Sequence, residues 1–89
     1  MSEETTAVAS IEALRRDIDA ADAELIELLS RRARLANSIG KLKAGAPVYR
    51  PEREREILDR AAERARRSGS LVTDEAVRNV LREVISACR

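Results

Sequence analysis

The 89 residues leave room for one small domain, and 17 Lys and Arg stand against 16 Asp and Glu with no His, a net charge of +1. A balance this near neutral supplies no long-range field for nucleic acid or an anionic membrane. One Cys and no His exclude an internal disulfide and the usual zinc ligand sets within this sequence, so no metal and no cofactor is expected.

Residues 1–9 are polar and acidic, without the basic and apolar regions of a signal peptide, and are read as a disordered tail ahead of a domain at residues 10–89. No run approaches the roughly 18 apolar residues of a membrane span, so a cytoplasmic protein is expected. Tyr49 is the one aromatic residue, which leaves so small a chain short of bulky core side chains. A second copy of the chain is the expected source of the missing core.

From Ser10, a fair N-cap, to Lys43 the sequence holds no Pro and only Gly40, with strong helix formers throughout. Leu14, Ile18, Ala21, Leu25, Leu28, Arg32, Leu35, Ile39 and Leu42 recur at alternating steps of four and three, the seam of a helix packed along its length. At 1.5 Å per residue such a helix is roughly 50 Å long, more than a compact domain of this size spans. An apolar stripe on so long a helix predicts an intertwined homodimer of helices paired antiparallel or crossed.

KAGAPVYRP, residues 43–51, breaks the pattern and predicts a loop, with Tyr49 in it. Pro51 suits the first turn of a second helix whose apolar stripe is Ile57, Leu58, Ala61, Ala62 and Ala65. Arg66, Arg67, Ser68, Gly69 and Ser70 end it, and Thr73 caps a third helix carrying Val77, Val80, Leu81, Val84, Ile85 and Cys88. That periodicity still runs at Arg89. The expected fold is all-α, with one long and two shorter helices.

Charges at seam positions are the informative ones. Arg32 sits between Leu28 and Leu35, and an unpaired guanidinium buried there costs several kcal/mol, so it calls for an anion. Lys43 follows eleven residues later, about 1100° of rotation, and returns to within about 20° of the same direction, roughly 16 Å along the axis. Arg15 is roughly 25 Å from Arg32 on one helix, so it can serve the same site only from an opposed second chain. Arg53 precedes Ile57 by four residues and Glu54 precedes Leu58 by four, which assigns both to the inward stripe. Several cations converging with one acid fit a dicarboxylate that also carries a hydroxyl. The same spacings fit plainer roles: Arg32 as a register-setting or outward-reaching residue, Lys43 against the helix dipole, Arg53 and Glu54 as surface charges, Cys88 as a small core residue.

Four stretches in order, Ala13-Leu14-Arg15-Arg16-Asp17-Ile18-Asp19, Leu28-Leu29-Ser30-Arg31-Arg32-Ala33, Ile39-Gly40-Lys41-Leu42-Lys43 and Pro47-Val48-Tyr49-Arg50-Pro51-Glu52-Arg53-Glu54, resemble the all-helical class of chorismate mutases. The wording is most similar to the mutase domain fused to prephenate dehydratase in bifunctional enzymes. The resemblance implies an intertwined homodimer whose two sites each borrow an arginine from the other chain. By that likeness the partner's Arg15 and Arg32 bind the two carboxylates of chorismate, Lys43 meets the ether oxygen, Glu54 accepts from the ring hydroxyl and Arg53 supports them. It also implies an acid where Arg50 stands, Ser at the position of Cys88, and a Gln or Glu one helical turn beyond Cys88, outside this sequence. A weakly active chain, or a piece of a longer protein, is therefore expected. Isochorismate pyruvate lyase and aminodeoxychorismate mutase share the scaffold and stay open as alternatives, as does a non-catalytic helical dimerisation or regulatory module.

Overall fold

The computed structural model describes residues 3–43 and 50–89. Three helices are formed, α1 Glu3–Leu42, α2 Pro51–Arg67 and α3 Asp74–Ala87, with no strand among the described residues. The all-α expectation of one long and two shorter helices holds. Tyr49 and most of the expected loop lie outside the described residues.

The chain divides into two compact units, Met1–Arg31 and Arg32–Arg89. The first holds the larger part of α1. Its helix begins at Glu3 rather than at Ser10, so residues 3–9, expected as a disordered tail, are helical instead. Glu3 and Glu4 put two carboxylates in the first turn, where the helix dipole favours them, and neither Gly nor Pro interrupts the run to Ser10. Ser10 is thus an interior residue and caps nothing.

No residue of α1 is buried. The expected seam exists as a stripe, but Leu14, Ile18, Leu25, Leu28, Leu35 and Ile39 all stand more than half exposed, and Leu42 reaches 88%. Within the seam only Arg32 departs from this, being half-buried together with Ala33 and Ala36.

The second unit is built around α2 and α3. Arg50, extended at φ −131° and ψ 97°, precedes Pro51 and accepts from the Glu54 N–H at 3.0 Å, closing the first turn of α2. Beyond Arg67 the chain reverses at Gly69, whose φ of 68° is a left-handed conformation open to a residue without Cβ. The Ser70 N–H then reaches the Ala65 carbonyl at 3.1 Å, satisfying one of the last acceptors of α2. Thr73 caps α3 as the sequence predicts, its Oγ1 accepting from the Ala76 N–H at 3.1 Å. The helix closes at Ala87, and Cys88 is its C-cap rather than a further helical residue.

Ile57, Leu58, Ala61, Ala62 and Ala65 of α2 are buried or half-buried, as are Val77, Leu81, Val84, Ile85 and Cys88 of α3. Val80, expected in the α3 stripe, is exposed. Only Ala62, at 0% exposure, and Ile85, at 8%, are fully inside among the described residues. A methyl group at position 62 is what a close helix approach requires, but two such side chains make a slender core.

Among the described residues three ion pairs lace α2 to α3 and set their direction. Glu54 at the start of α2 meets Arg89 just past the end of α3. Asp59 meets Arg78 at 2.8 Å near the middle, and Arg66 at the end of α2 meets Asp74 at the start of α3, also at 2.8 Å. Start joins end and end joins start, so the two helices form an antiparallel hairpin.

Candidate functional site

Arg32, Lys43, Arg53 and Glu54 belong to the second unit and Arg15 to the first. Among the described residues no hydrogen bond or ion pair joins any two of these five; each is held, or left, on its own terms.

Arg32 is half-buried and has no ion-pair partner among the described residues. Continuous helix carries it, so its direction is fixed by the backbone, and its neighbours Ala33 and Ala36 are small. Lys43 stands one residue past α1, its N–H bonded to the Ile39 carbonyl at 3.0 Å, so the backbone there still follows the helical turn. Lys43 is exposed and likewise without an ion-pair partner among the described residues. Arg32, partly desolvated and without an ion-pair partner among the described residues, keeps its electrostatic capacity for a ligand.

Arg15 donates to Glu12 one turn back at 3.1 Å, with both side chains largely in water. An exposed pair of this kind contributes about 0–1 kcal/mol and gives way readily to another anion.

Glu54 is the most covered carboxylate in any ion pair of the described residues, its side chain 22% exposed, and Arg89 Nη2 donates to its Oε1. Its inward placement agrees with the stripe expected from the sequence. Arg53 does not: it is exposed and pairs with Glu56 at 3.5 Å on the outer side of α2. The reason is angular. Arg53 precedes the buried Ala62 by nine residues, about 900° of rotation, and so stands diametrically opposite it, whereas Glu54 lies about 80° from the Ala62 direction.

Sequence reasoning missed Arg89. Its bond to Glu54 joins positions 35 apart, and no periodicity connects them. Arg50, the N-cap of α2, is exposed, and Cys88 is half-buried with a free thiol.

Glu63, outside this group, accepts from Arg67 at 3.1 Å and from Arg66 at 3.0 Å. The Arg67 bond first and the Arg66 bond second hold its carboxyl below the ordinary value of 4.5.

The protein is thus an all-helical chain whose candidate residues are charged groups set on or beside helix faces. It belongs to the chorismate mutase type II family, which its residues 14–89 match. It is 42% identical over 78 residues to a bifunctional chorismate mutase/prephenate dehydratase of Aquifex aeolicus, covering 84% of this chain and 22% of that protein. To the protein of the same name from Neisseria gonorrhoeae it is 46% identical over 74 residues, with 83% and 20% covered. A T-protein of Enterobacter agglomerans is 38% identical over 80 residues, with 88% and 21% covered. The chain therefore spans about a fifth of the length of these curated relatives. No solved structure matches it.

Proposed function

We propose that this chain catalyses the pericyclic rearrangement of chorismate to prephenate, a cytoplasmic step toward phenylalanine and tyrosine. Membership of the family across residues 14–89 carries this reading, because that span contains Arg15, Arg32, Lys43, Arg53 and Glu54 together. The rearrangement moves bonding electrons within one molecule and needs neither a nucleophile nor a proton transfer. What a protein can supply is a compact reactive conformer and positive charge where the ether oxygen becomes electron-rich.

In this reading Arg32 and the partner's Arg15 hold the two carboxylates and Lys43 faces the ether oxygen. Glu54 accepts from the ring hydroxyl, and Arg53 is a supporting cation. Arg32 is half-buried with no ion-pair partner among the described residues, which supports its role, since a substrate carboxylate is the anion its position calls for. A positioned donor facing charge that grows in the transition state is worth about 10²–10³ in rate, enough for one cation to decide activity.

The active form is proposed to be a homodimer. The support is the stripe on α1: large apolar side chains from Val8 to Leu42 stand open along a helix with no buried residue. Covering one Leu of that stripe stabilises by about 1.5–3 kcal/mol, so a second copy gains much by supplying the cover.

The test is to incubate the purified chain with chorismate, follow its loss and identify the product, while sedimentation gives the mass. Prephenate from a species of twice the chain mass is the expected result. Pyruvate release from isochorismate in its place would assign the lyase reaction, rearrangement of aminodeoxychorismate the corresponding mutase reaction, and turnover of none of the three would leave a helical docking module.

A further inference from the structure

The geometry points to Arg89 as a positioning residue that holds Glu54 ready for the ligand hydroxyl. The inference rests on the mutase reading above for what Glu54 contacts, and on the α2–α3 hairpin for everything else.

Glu54 lies in the first turn of α2, and Arg89 follows the C-cap of α3. The guanidinium Nη2 donates to Glu54 Oε1 across the two helices. The other two interhelix pairs place their carboxylates more openly, Asp59 at 61% and Asp74 at 42% exposure, against 22% for Glu54. Those two carboxylates are well hydrated with or without their arginines. Glu54 is not, and a largely covered carboxylate needs a donor to offset its lost water.

One guanidinium bond occupies a single acceptor site on Oε1. An ionised carboxylate offers about four lone-pair sites, so others remain for an incoming hydroxyl. Fixing one oxygen removes rotamers the side chain would otherwise sample, so the acceptor is already set when substrate arrives. Arg89 thereby acts on binding through Glu54 and touches no reacting atom. The direction of the effect follows: loss of Arg89 raises KM for chorismate more than it lowers kcat.

The test is a cycle of Arg89→Ala, Glu54→Ala and the double variant, with kcat and KM measured on chorismate and a thermal melt for each. Arg89→Ala is expected to lower kcat/KM about three- to tenfold, mainly through KM, and Arg89→Lys to recover part of the loss because an ammonium can still donate. In the Glu54→Ala background, removing Arg89 is expected to change kcat/KM by less than about twofold, since the group it positions is gone. Arg78→Ala, which cuts a different α2–α3 pair, serves as the control and is expected to keep the wild-type KM. Three results overturn the inference: Arg89→Ala with wild-type KM, an equal loss with and without Glu54, or an Arg78→Ala variant that raises KM as much. If Glu54→Ala cripples turnover while Arg89→Ala does not, this inference alone falls. A wild-type chain that leaves chorismate untouched overturns the mutase reading, and the role of Arg89 with it.

Discussion

Arg78 on α3 donates to the Asp59 carboxylate on α2 at 2.8 Å, joining residues 19 apart at the middle of the hairpin. The Arg78 side chain is the more covered of the two, at 30% exposure against 61% for Asp59. The pair sits over the level where α2 and α3 pack, so its strength is read in stability.

Arg78→Ala is expected to lower the unfolding free energy by about 0.5–1 kcal/mol, a modest figure because Asp59 remains largely in water. Urea denaturation at fixed protein concentration measures it. In about 1 M salt the difference between variant and wild type is expected to shrink, since screening already weakens the pair.

Ala62 has no exposed surface, so a larger side chain there has nowhere to go. Ala62→Leu is expected to destabilise by about 1–3 kcal/mol through overpacking. Ile85→Ala, on the facing helix, is expected to cost about 2–4 kcal/mol by leaving a cavity. The same denaturation experiment reports both.

The helix boundaries in this hairpin were legible because each is written in a local chemical signal: Pro51 at a first turn, Gly69 at a left-handed reversal, Thr73 with a hydroxyl for the Ala76 N–H. The start of α1 was not, since Ser10 has the chemistry of a cap and only the absence of a breaker upstream let the helix run on to Glu3. Periodicity put Glu54 on the inward side of α2, where it is half-buried; Arg32 is half-buried too, although the seam residues Leu28 and Leu35 beside it stand open. Arg53 falls outside the packed face of α2 because a four-residue step back from Ile57 turns about 40° further round the helix, away from Ala62 at the centre of that face. Arg89 left no trace in the sequence, because contacts between helix ends depend on how the hairpin closes.

Arg32→Ala and Lys43→Ala are each expected to lower kcat/KM on chorismate by at least about tenfold, with the Lys43 variant losing mainly kcat. Arg32→Lys is expected to recover little, because an ammonium lacks the planar fork that grips a carboxylate at two points. Steady-state kinetics on variants with unchanged far-UV circular dichroism checks both.

Leu25→Asp places a charge in the middle of the open α1 stripe, where Leu25 is 58% exposed in the single chain. Sedimentation is expected to show the mass falling from two chains to one, with chorismate turnover lost at the same time. Turnover that persists in a monomer would remove the role proposed for Arg15 of the partner subunit.

Glu63 supplies a pH dependence of known sign. Its carboxyl is held below 4.5 by Arg67 and Arg66, so its contribution to stability is complete above that value and is lost as pH falls through the lowered one. Melting temperature is expected to drop as pH falls below about 4.5, and Glu63→Gln to flatten part of that drop.

The turn between α2 and α3 covers only residues 68–73, so these helices find each other by closing a short loop within one molecule, an event that runs on the order of microseconds. In the proposed homodimer the apolar stripe of α1, a helix with no buried residue, is covered only on collision with a second chain. Refolding of that dimer should therefore keep two clocks, one indifferent to dilution and one that slows in proportion to it.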